Sequence, residues 1–199
     1  SSKFTSVICS QDGSGVEPWL NNIINKQTQI SILMNGVDKN IHFYKNQFTA
    51  HKNKFRILFI GKLESYKGAD TFVDSVIKFE EIYPNNIEGI IIGTGSLEKK
   101  LKKNIDRIKK NYLFKFKSKI SHEEIYDYHR KSDIYVSLNK YGNLSNANLE
   151  AINAGNCVLM PEPDIKSYTD VYTKEFLDDS VIYISRIETF NDLVNIYKK

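Results

Sequence analysis

The chain alternates short, nearly continuous apolar runs with longer segments in which apolar positions recur every three or four residues. The first pattern fits a strand buried on both faces of a parallel sheet, the second an amphipathic helix laid against it. The apolar runs are "FRILFIG" (55–61), "IEGIIIG" (87–93), "YLFKF" (112–116), "DIYVSL" (133–138), "CVLMP" (157–161) and "SVIYIS" (180–185). Between them, "ADTFVDSVIKFEEIY" puts Phe72, Val76 and Phe79 on one helical face, and "SLEKKLKKNIDRIKK" does the same with Leu97, Leu101, Ile105 and Ile108. Ser121 and Glu124 in "SHEE" have the spacing of a capping box and open another helix, and "ETFNDLVNIYKK" closes the series. Strands and helices alternating over short connections predict an α/β fold, a doubly wound parallel sheet of Rossmann-like type. Ligands of such sheets sit beyond the carboxyl ends of the strands, so residues just after strands carry the chemistry.

Upstream, "SVICS" and "GVEPWLNNIINKQTQISILMNGVD" read as strand, helix and strand. The polar stretch 39–54 that follows is the linker candidate. It divides the chain into a leading piece, residues 1–38, and a sheet domain, residues 55–199. The sequence enters its first strand almost at once, as a piece of a larger protein would.

Composition narrows the partners. The 28 Lys and Arg against 24 Asp and Glu leave a net charge of +4, too weak for a dedicated nucleic-acid binder. Two distant cysteines, Cys9 and Cys157, argue against a disulfide framework and for a reducing cytoplasm. No run of about 18 apolar residues is present and the first residues lack a leader pattern.

Of the loops after strands, "GKLESYKG" (61–68) holds two lysines but not the Gly-Lys-Ser/Thr order of a P-loop. Lys62 and Lys67 suit a diphosphate as mobile point charges, or are simply solvated. "GTGSLE" has Glu98 where a dinucleotide fingerprint wants its third glycine, so it is a tight turn, structural or ligand-facing. The basic helix around residues 98–110 fits a solvated face better than a lipid contact. The four histidines show neither metal-ligand spacing nor a neighbouring nucleophile, and read as surface or structural.

"YGNLSNANLEAINAG" (141–155) is the richest segment. Asn146 is the expected N-cap and Gly155 the terminator of a short helix, whose first-turn amides and dipole make an anion site at 144–147. Glu150, one turn further in, cannot be there to meet an anion, since like charges repel. It either accepts hydrogen bonds from sugar hydroxyls or compensates the helix dipole.

Together these motifs resemble the C-terminal half of a GT-B glycosyltransferase of the large retaining family 4. The resemblance rests on "ILMNGVD" before the linker, "FIGKLESYKGADTFVDSV", "IIIGTGSLEKKL", "SHEEIYDYHRKSDIYVSL" and "NLSNANLEAINAGNCVLMP", in that order. It implies that residues 1–38 are the tail end of an acceptor domain and 55–199 the donor domain. The implied donor is a nucleotide-diphosphate sugar, and the implied acceptor a glycan or lipid-linked molecule in surface-polysaccharide synthesis. No metal or other cofactor is implied, and the setting is cytoplasmic or peripheral at the inner face of the membrane. Gly61, Lys62 and Lys67 would meet the diphosphate, as would Leu144, Ser145 and Asn146. Glu150 would hold the ribose, and Lys119 and Ile120 would lie along the base. The family often carries a glutamate eight positions before the second one, where this chain has Gly142. Asn143, Ser145 or Asn146 would then supply sugar contacts. That departure leaves a second expectation open, a catalytically silent pseudo-enzyme or interaction subunit.

Overall fold

The computed structural model describes residues 4–37, 54–164, 172–185 and 189–197. The linker expected at 39–54 lies outside them except for Lys54.

The leading piece is β1 (Ser6–Gln11), α1 (Val16–Ile23) and β2 (Gln29–Met34), with β1 and β2 paired in parallel. The second sheet has six strands: β3 (Phe55–Ile60), β4 (Ile87–Ile92), β5 (Phe114–Lys117), β6 (Ile134–Val136), β7 (Cys157–Pro161) and β8 (Ile182–Ile184). They lie in the order β5-β4-β3-β6-β7-β8, and every pair is parallel. The chain builds outward from β3 to one edge, then returns to β6 and builds to the other. The switch point therefore falls between β3 and β6, where a doubly wound sheet opens its crevice.

The helices are α2 (Ala69–Ile82), α3 (Glu98–Arg107), α4 (His122–Arg130), α5 (Asn146–Asn153), α6 (Tyr172–Leu177) and α7 (Thr189–Ile196). Because side chains of a strand alternate faces, β3 feeds two cores. Ile57 and Phe59 join Phe72, Val76 and Phe79 of α2 and Leu101 and Ile105 of α3 on one side. Leu58 joins Tyr135, Val158, Met160 and Ala151 of α5 on the other. Near-continuous apolar strands are thus explained by two covered faces.

Local differences from the sequence reading have simple causes. Tyr112 belongs to a 3-10 turn over Asn111–Leu113, so the strand starts only at Phe114. Ile108 lies just past the end of α3 and is 43% exposed, so the buried stripe of that helix stops at Ile105. The N-cap of α5 is Ser145, whose hydroxyl accepts from the Asn148 amide, and Asn146 is its first helical residue. The capping box of α4 forms as expected, with Ser121 and Glu124 each bonding the other's backbone N–H. Among the described residues no helix is long and apolar enough to cross a membrane.

Candidate functional site

The loops after β3 and β6 face one another across the switch point. Gly61 ends β3 and Gly93 ends β4, with φ +142° at Gly93. A Cβ on Gly93 would sit 1.9 Å from the Gly61 carbonyl oxygen, so only glycine lets the two strand ends converge. Glu64 then ties these loops together, accepting the Ser96 amide at 2.8 Å and the Ser96 hydroxyl at 2.5 Å. Those bonds hold its carboxyl below the usual range.

Lys62 is exposed and Lys67 is partly buried in the turn Ser65–Lys67. Burial pushes the Lys67 ammonium below its usual range, the Asp12 carboxylate opposes that shift, and Lys62 adds to it. Among the described residues neither lysine forms a salt bridge. The Lys67 turn is pinned to the loop after β6: Lys140 N–H donates to the Tyr66 carbonyl at 3.0 Å, and the Tyr66 and Tyr141 rings lie 5.9 Å apart. Two cations outside any salt bridge among the described residues, one of them partly desolvated, thus stand beside the approach to α5.

That approach is itself held rigidly. Asn139 Nδ2 donates to the Gly142 carbonyl at 2.9 Å. Asn148, buried, donates from Nδ2 to the Asn143 carbonyl at 2.8 Å and accepts the Tyr135 hydroxyl at 3.1 Å. The leading piece closes the outer side. Leu144 N–H donates to the Asp12 carbonyl at 2.8 Å, and Asn35 Nδ2 donates to the Leu144 carbonyl at 2.7 Å. The Leu144 amide, read from sequence as a phosphate donor, is therefore committed within the protein, while its side chain is buried in the sheet core.

This seam also accounts for Gly142. A Cβ there would lie 2.9 Å from the Asp12 carbonyl oxygen, so no side chain fits while the 12–14 turn is docked. Asn143 is 1% exposed, and both polar atoms of its side chain are buried without a hydrogen-bond partner among the described residues. Such a group costs stability unless a ligand or a rearrangement satisfies it.

Glu150 is buried in α5, with its side chain 7% exposed. Its Oε1 accepts from His122 Nε2 at 2.9 Å, which assigns the proton to Nε2. No described residue bonds Oε2. Burial, with the Glu150 charge as a smaller contribution, raises the neighbouring Tyr135 phenol well above its usual range. Lys119, exposed, and Ile120, partly buried against the core that contains Leu58 and Tyr135, lie in the loop that leads to Ser121 and His122.

The structure therefore gathers Lys62, Lys67, the 142–146 loop, Glu150 and Ile120 around one end of the sheet. His122 was read from sequence as surface or structural, yet it joins this group. The available signal was its place as first residue of the capped helix directly after Ile120; its partner lies 28 positions away. His129 is structural. Asn156 donates from Nδ2 to two backbone carbonyls, so its Oδ1 accepts and His129 Nδ1 carries the proton. His42 and His51 lie outside the described residues.

A doubly wound sheet with cations and a helix start at its switch point defines a nucleotide-binding class of fold. The chain belongs to the glycosyl transferases group 1 family, whose pattern matches residues 40–196. It is 30% identical over 125 residues to an uncharacterized glycosyltransferase of Methanocaldococcus jannaschii, covering 62% of this chain and 30% of that protein. Among solved structures it is similar to the pneumococcal O-GlcNAc transferase GtfA in complex with UDP and GlcNAc, with a TM-score of 0.69, 16% identity, and 97% of this chain and 37% of the other covered. It is similar also to TarM of S. aureus in complex with UDP, with a TM-score of 0.74, 17% identity, and 97% and 36% covered. At these identities the structures establish the fold, and the chain spans about a third of the length of these relatives.

Proposed function

We propose that residues 55–199 are the donor-binding domain of a retaining GT-B glycosyltransferase of family 4, with residues 1–38 the tail of its acceptor domain and 39–54 the linker. The donor is a nucleotide-diphosphate sugar. The whole protein passes the sugar to a glycan or lipid-linked acceptor in surface-polysaccharide synthesis, in the cytoplasm or at the inner face of the membrane. The chain described here binds the donor without turning it over.

The observation that carries this reading is the pair Lys62 and Lys67, neither in a salt bridge among the described residues, set beside the loop that enters α5. Breaking a sugar–phosphate bond leaves a nucleoside diphosphate that must be stabilised as it departs. Two ammonium groups and the first-turn amides of α5, around Ser145 and Asn146, supply that charge. Glu150 takes the ribose hydroxyls through its open Oε2, and the chain at Lys119 and Ile120 borders the base. Both similar solved structures contain UDP, which supports a nucleoside diphosphate as the ligand.

Calorimetry with UDP, GDP and ADP tests the proposal. One of them is expected to bind, and Lys67→Met is expected to weaken the diphosphate about tenfold while leaving the matching nucleoside little changed. No binding by any of the three at millimolar concentration refutes it.

Gly142 favours a second reading, a nucleotide-binding relative without transferase activity, because no side chain fits there to touch a sugar. Transfer to endogenous glycan or lipid by the longer natural chain would exclude it.

A further inference from the structure

We infer that His122 is the positioning residue for Glu150: it fixes one carboxylate oxygen so that the other is presented to the nucleoside. This rests on the donor-site reading above and adds to it a residue and a division of labour between the two oxygens.

A carboxylate buried to 7% exposure has few ways to keep its charge and its orientation. Glu150 has one hydrogen bond from a described side chain, the 2.9 Å contact of Oε1 with His122 Nε2. Oε2 takes none from a described residue. The two oxygens are therefore not equivalent: one is anchored inside the protein, the other available as an acceptor. A hydroxyl-bearing ligand that meets an already oriented acceptor loses less freedom on binding than one that must order a rotating carboxylate.

The histidine is held in turn. It is the first residue of α4, whose start is defined by the Ser121–Glu124 capping box, and its ring meets Tyr126 edge to face with centroids 5.1 Å apart. The α4 start is reached directly from Lys119 and Ile120, so the segment bordering the base also delivers the group that aims the ribose acceptor. The His122 side chain is 63% exposed, so its removal leaves no cavity, and the capping box does not depend on it.

The test is calorimetry of the 199-residue chain, its His122→Ala and its His122→Gln variants. Each is titrated with the nucleoside diphosphate that binds best and with the 2′,3′-dideoxy form of the same nucleotide. His122→Ala is expected to weaken the natural nucleotide about three- to tenfold, the fold-change of one lost hydrogen bond, and to leave the dideoxy form unaffected. His122→Gln, whose amide nitrogen can donate to Oε1, is expected to restore most of the affinity. Unchanged binding of the natural nucleotide by His122→Ala overturns the inference, as does an equal loss for both nucleotides. Absence of binding by the unaltered chain removes the nucleotide reading itself, and the inference with it. Binding that ignores the histidine removes the inference alone.

Discussion

Replacement of Gly13 by alanine measures how firmly the leading piece is docked on the loop before α5. Gly13 has φ +83°, and a Cβ on it would lie 2.2 Å from the Asn143 amide nitrogen and 2.5 Å from that of Leu144. Both are backbone atoms and cannot swing aside, so the turn at 12–14 must lift. Lifting it breaks the Leu144 to Asp12 hydrogen bond and strains the Asn35 to Leu144 bond. Two such bonds contribute about 1 kcal/mol each, and a left-handed alanine adds about 1 kcal/mol, so a loss of about 2 to 4 kcal/mol is expected. Gly155 is the control. Its φ of +76° is nearly the same, but nothing lies within 4 Å of its added Cβ, so Gly155→Ala pays only the backbone strain of about 1 kcal/mol. Urea unfolding gives the two stabilities, and amide exchange at Leu144 reports the seam itself. Equal midpoints for the two variants, with Leu144 protected as in the parent, would refute the docking.

Other consequences follow from single residues. Glu150→Ala is expected to weaken the bound nucleoside diphosphate by about 1 to 3 kcal/mol through lost charge-assisted bonds, and unchanged affinity in a folded variant would retire its ribose role. His129 contributes to acid lability: burial pushes it down to about 4, against about 6.5 for an ordinary imidazole. Between those values the unfolded chain binds a proton that the folded one refuses. Stability therefore falls as the pH drops from about 6.5 to about 4, by of the order of 3 kcal/mol for this group, which adds no slope above that window. Unfolding midpoints at pH 7 and pH 4.5 should differ less in His129→Gln than in the parent.

Much of the fold was legible because its signals are local. Alternating apolar runs and amphipathic segments require only neighbouring residues, and the order of strands and helices between 55 and 197 follows from them except for α6, a short helix of six residues that the sequence reading did not include. The Ser121–Glu124 box is equally local, a side chain bonding an amide three residues on. Lys62, Lys67 and Glu150 stood out because chemistry after strands is concentrated at one end of a parallel sheet. The cap of α5 fell one residue earlier than expected because Ser145 and Asn146 are both competent caps, and only the backbone direction chooses between them.

The sequence by itself determined the class of sheet, the helices covering it other than α6, and the end of it that carries cations and a carboxylate. Tertiary structure alone decided who pairs with whom there. His122 meets Glu150 across 28 residues, and Asn35 meets Leu144 across 109. No side chain fits at Gly142 because the Asp12 carbonyl, in the turn after β1, stands where its Cβ would be. Periodicity is a property of one segment, whereas these contacts depend on how two elements distant along the chain approach. That approach is set by packing of the whole core and leaves no local mark on the residues that meet.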